Sequence, residues 1–73
     1  MSLEGTVAVA ADDLRAELER LYRQPEPRLR MVLDVAVEVG RRWNMRAMDE
    51  RGELTDFGRR AYIEWVRISG GDP

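Results

Sequence analysis

The stretch LRMVLDVAVEV, residues 29–39, can be read as a strand or as a helix. Met31, Leu33, Val35, Val37 and Val39 alternate as strand residues do, and valine favours strands. The even positions spoil that template, because Val32 and Ala36 are apolar beside Asp34 and Glu38. The helical template fits better. Arg30, Asp34, Glu38 and Arg41 fall on one line at spacings of four, four and three, and every other residue from Leu29 to Val39 is apolar. Pro27 suits a first helical turn, where its missing N–H is no loss. The stretch is therefore read as part of a helix near 27–47, and the fold class as all-α.

Projected at roughly 100° per residue, the apolar arc of this helix spans roughly 240°. An ordinary surface helix shows an apolar stripe of about 100° or somewhat more. One helical neighbour does not cover such an arc. The helix is expected to be central to the fold or shared with a second chain, and the polar line to be an ion-paired solvent stripe.

Two breaks flank this segment. QPEP, residues 24–27, carries two prolines that do not fit a helix interior. DERG, residues 49–52, ends in a glycine suited to chain reversal. Before the first break, ADDLRAELERLYRQ predicts a helix near 11–23. Val7, Ala11, Leu14, Leu18 and Leu21 form its seam, Asp12 and Asp13 sit at its N-terminus, and Glu19 pairs with Arg23. TVAVA, residues 6–10, is open between helix and extended chain. After the second break a helix is predicted near 55–68. Thr55 is its N-cap and Leu54 its hydrophobic staple, while Phe57, Ala61, Trp65 and Ile68 share its core face. Asp56, Arg59, Arg60, Glu64 and Arg67 line the other side. Gly58 weakens helix propensity in the first turn, which points to close approach of another backbone. The tail, residues 69–73, is expected to fray. The whole is one small three-helix domain over residues 1–73, completed by dimerisation or by a partner.

Residues 47–60, AMDERGELTDFGRR, resemble two known contexts. One is the winged-helix segment of DEAH-box RNA helicases, where an apolar-Asp turn leads to a glycine, then Leu-Thr, then Gly-Arg. The other is the LT-x-x-G-R that follows the wing in winged-helix transcription regulators. The resemblance stops at these residues. A winged helix also needs a helix-turn-helix and a two-stranded wing, and DERGE, residues 49–53, is too short for two proper strands. A reversal at Gly52, a staple at Leu54 and a cap at Thr55 explain the same residues locally. The segment is read as a helix start, with no family assigned.

The chain has 73 residues, neither cysteine nor histidine, and twelve basic residues that are all arginine. A core of this size is marginal without a disulfide, a metal or a second subunit. With no thiol, no disulfide or thiolate metal site can form. Arginine without lysine fits GC-rich coding, as in a high-GC bacterium or its phage. No apolar run approaches the ~20 residues of a membrane helix, and the first residues lack the basic start of a signal peptide. A cytoplasmic protein with no membrane partner is expected.

Net charge is −2, against a general nucleic-acid binder. Its distribution is uneven. Residues 27–48 carry five arginines and two acids, net +3, between acidic flanks of −3 and −2. The expected explanation is pairing of this middle segment with its neighbours. The sharper alternative is a phosphate-facing patch, with Arg41, Arg42, Arg46, Arg59 and Arg60 as candidate nucleic-acid contacts. Met31, Val35, Val39 and Trp43 are the candidate protein-contact residues, Met31 foremost because it lies at the edge of the wide arc.

Catalysis is not expected, because the commonest general base and the best protein nucleophile are both missing. Asp49, Glu50, Glu53 and Asp56 cluster at a turn but match no calcium-loop spacing, so neither metal nor cofactor is expected. The functional expectation is a non-enzymatic helical interaction module, regulatory or accessory, acting as a homodimer or with a larger partner. The alternative is a small DNA-binding transcriptional regulator.

Overall fold

The computed structural model describes residues 3–27 and 29–70, with side-chain surroundings from Val7 onward. Three helices follow in order: α1 Leu3–Tyr22, α2 Leu29–Arg42 and α3 Asp56–Ser69. Each packs against both others. α2 runs back along α1, bringing Arg42 to Asp13. α3 runs the same way as α1, which sets the Tyr22 ring edge-on to Trp65 at 5.9 Å between centroids. Among the described residues there is no strand, only an isolated antiparallel bridge between Met48 and Leu54.

The all-α reading of residues 29–39 is correct, and most of its wide arc is covered inside one chain, with Leu29 left 61 % exposed. Val32, Ala36 and Val39 are fully buried, while Met31, Leu33, Val35 and Val37 are half-buried against the same core. Two neighbouring helices do what one could not. Leu14 and Leu18 of α1, with Val32 and Val39 of α2, are the largest side chains taken entirely from water. Each contributes roughly 1.5–3 kcal/mol by that transfer.

Several expected details differ. α1 begins at Leu3, not near 11, because the open stretch TVAVA continues the helix. The buried seam is Ala10, Leu14, Leu18 and Leu21, while Val7 is 42 % exposed and Ala11 half-buried. Asp12 and Asp13 consequently lie mid-helix, away from the N-terminal dipole. α1 also stops at Tyr22, so Arg23 falls in the turn and Glu19 pairs backward with Arg15 at 3.4 Å. α2 begins at Leu29, two residues after Pro27, and ends at Arg42 instead of 47. Asn44 takes the left-handed conformation (φ 56°) and the Met45 N–H donates to the Gly40 carbonyl at 2.7 Å. That is a Schellman-type stop, with asparagine in the position usually held by glycine. At the end of α3, Ser69 is still helical and Gly70 caps with φ 72°. The rest of the tail expected to fray, residues 71–73, lies outside the described residues. Glu64, assigned to the solvent side, is 9 % exposed and holds Arg67 at 3.3 Å.

The α2–α3 connection docks on two glycines. A Cβ on Gly40 would run into the Met45 carbonyl oxygen, and one on Gly58 into the Ala47 carbonyl oxygen. The close approach expected at Gly58 is therefore present, and Gly40 supplies a second. Thr55 locks the arrangement: its hydroxyl donates to the Arg46 carbonyl and accepts from the Gly58 N–H at 3.2 Å. Its own N–H donates to the Ala47 carbonyl at 3.0 Å. At the tip, Asp49 N–H donates to Glu53 at 2.8 Å and Gly52 adopts φ 82°, giving a three-residue hairpin loop.

Gly40→Ala and Gly58→Ala are each expected to lower stability by about 2 kcal/mol or more. Alanine in an open helix position would instead gain about 1 kcal/mol over glycine. Urea denaturation followed by circular dichroism measures the sign. Variants as stable as the parent contradict the docked connection.

Candidate functional site

The candidate residues separate into three places along α2. At its N-terminal end, α1, the connecting turn and α2 enclose an open groove. Leu21, Pro25, Met31 and Val35 give it an apolar floor, and Glu17, Arg20, Arg30 and Asp34 stand around the rim. Met31 and Val35, two of the candidate protein-contact residues, thus share one concave surface. Arg30 and Asp34 also begin the polar line of α2. All four members of that line are exposed, and none pairs with another within ion-pair distance. The stripe is solvated, as expected, without the expected ion pairs. Its side chains project outward from a helix whose neighbours lie on the opposite side.

Val39, the third protein-contact candidate, is fully buried and makes its contacts within this chain. Trp43, the fourth, is half-buried, with its indole N–H donating to Asp13 Oδ2 at 2.9 Å. Arg42 Nη1 lies 3.2 Å from each oxygen of the same carboxylate, and Nη2 lies 3.8 Å from Glu17. Asp13 is the hub where the C-terminal end of α2 meets α1. The Trp43 hydrogen bond, helped by Arg42, holds its carboxyl below the usual carboxylate range. Asp13 in turn raises the Arg42 guanidinium above its usual value, with Glu17 and Glu38 adding to the effect. Trp43 and Arg42 are thereby engaged in closing α2 onto α1. The sequence offered no direct sign of this triad, because Asp13 read as a helix-start residue.

The arginines differ in what surrounds them. Arg42 is paired as above, and Arg59 lies 3.6 Å from Asp56 in a fully exposed contact. Arg60 borders a separate depression with Val7, Ala11, Met45, Asp56 and Phe57. Arg41 and Arg46 border one shallow depression with Val37, Met45 and Met48, and Arg46 borders the next with Arg51. Arg51 was not among the candidates: it sits in the acidic turn DERGE, apart in sequence from the arginine clusters. Asp49 in that turn is otherwise occupied: its Oδ1 accepts the Arg51 and Glu53 N–H groups at 2.8 and 2.9 Å. Among the described residues no three potential metal-ligand side chains converge, and no helix is long and apolar enough to cross a membrane.

Compared with known protein families, with curated proteins and with solved structures, the chain has no significant match in any of the three.

Asp13→Ala is expected to lower stability at neutral pH by roughly 1 kcal/mol, the usual size for a partly exposed charged hydrogen bond. Because the folded carboxyl titrates below its ordinary 3.8, the contribution is present above that pH and is lost as pH falls through the folded value. The gap between parent and variant should therefore narrow in acid. Urea denaturation at neutral pH and at a pH below the usual carboxylate range checks this. A gap that is constant or wider in acid contradicts the assignment.

Proposed function

We propose that this chain is a non-enzymatic interaction module, regulatory or accessory in role, that binds protein through the α1–α2 groove. The observation that carries the reading is the shared concavity of Met31 and Val35. Both are apolar and half-buried at the edge of the core, and charged groups of both signs surround them. An apolar floor with a polar rim is the usual anatomy of a small protein-recognition surface. The occupant that fits is an amphipathic helical segment, which would insert an apolar anchor between Leu21 and Met31 and set its charges against Arg20, Arg30, Glu17 and Asp34. A second copy of the chain is the first candidate, since α2 carries an apolar edge beside a line of both charge signs.

The want of histidine and cysteine supports the non-enzymatic part of the reading. So does the use of Asp13 and Asp49, whose carboxylates bond to protein groups. The DNA-binding alternative rests on a different surface, at the other end of α2.

Light scattering across a dilution series tests the homodimer directly, against a chain mass of 8.4 kDa. A dimer is expected, with Met31→Asp restoring the single-chain mass while the helical circular dichroism stays unchanged. A Met31→Asp variant that keeps the parent's mass and its cross-linked partners overturns the groove as the interface.

A further inference from the structure

We propose that the edge formed by Arg41, Arg46 and Arg51 binds the phosphate backbone of a nucleic acid. Three observations carry this. First, these side chains are exposed, and among the described residues none has a carboxylate within ion-pair distance. Arg15, Arg20, Arg42, Arg59 and Arg67 each do have one, and Arg23, Arg30 and Arg60, which also lack one, border no depression with these three.

Second, the three are contiguous. Arg41 and Arg46 border one depression, and Arg46 and Arg51 border its neighbour. The edge runs from the last turn of α2 to the hairpin tip, and the docked connection fixes its course. The half-buried Val37, Met45 and Met48 lie along it, giving sugar groups an apolar surface between the cations. Spaced cations with apolar groups between them suit spaced phosphates better than one small anion.

Third, the nearest acid is held in place by the turn. Asp49 borders the Arg46–Arg51 depression, and its Oδ1 accepts two backbone N–H groups there, so it does not form an ion pair with either arginine. Asp49 keeps its charge and Glu50 adds a second acid to that depression, so binding is expected to be modest and sequence-independent. Arg41 also stabilises the C-terminal dipole of α2, which does not withdraw its guanidinium from solvent. The edge and the α1–α2 groove lie at opposite ends of α2, so either can fail without the other.

The test is fluorescence polarisation with a labelled mixed-sequence DNA duplex over a salt series. Three phosphate contacts predict a slope of about −2.7 in log K against log salt, or roughly a 40-fold loss from about 50 to about 200 mM. The triple variant Arg41→Ala, Arg46→Ala, Arg51→Ala should abolish binding. Each single variant should reduce the slope by about 0.9. A control triple, Arg15→Ala, Arg23→Ala, Arg67→Ala, removes equal charge away from both the edge and the groove and should leave the slope unchanged. Duplex binding that is lacking at low salt overturns the proposal. So does a control triple that weakens binding as much as the edge triple. If the edge triple loses its circular dichroism, the single-variant slopes decide, and unchanged slopes overturn the proposal.

Discussion

The carbonyl oxygens of Met45 and Ala47 lie where the side chains of Gly40 and Gly58 would otherwise begin. The rest of the architecture follows from that approach. It brings the connection flat onto the ends of both helices, allows Thr55 to bridge Arg46 and Gly58, and orients α3 along α1. Two glycines are unfavourable in helix interiors, so their presence means that tertiary contact outweighs local propensity here. The same contact orients the hairpin tip, and with it Arg46 and Arg51.

A second constraint acts across the helices. Asp13 receives Trp43 and Arg42 on one carboxylate, which closes the C-terminal end of α2 onto the middle of α1. This accounts for one arginine of the basic middle segment. Part of the basic middle segment answers the acidic first helix, as the sequence suggested, but only in part. Arg41 and Arg46 remain outward, and Arg51 joins them from a segment whose net charge is negative.

The helical nature of residues 29–39 was legible because a polar line at spacings of three and four outweighed an imperfect alternation. Thr55 and Gly58 were legible for a similar reason: capping and backbone approach leave local marks. The start of α1 was not, since short alanine-valine runs satisfy helix and strand alike. The stop at Asn44 carried a usable sign, an asparagine able to take φ above zero, but the continuing apolar pattern outweighed it. The Asp13–Trp43 bond joins residues far apart in the chain, and no spacing rule reaches it. The candidate surfaces were half legible for the same reason. Met31 and Val35 fell together because they lie one turn apart, whereas Val39 proved internal. Arg41 and Arg46 were visible as a cluster, and Arg51 became their neighbour only through the hairpin.

Native-state hydrogen exchange at the amides of Met45, Asp49 and Thr55 tests the docked connection most directly. If Gly40 and Gly58 hold that connection as part of the cooperative core, these amides should exchange only with the global opening that releases Leu18 and Val39. Exchange at the rates of an open loop, with the helices still protected, would contradict it, because the connection would then open on its own.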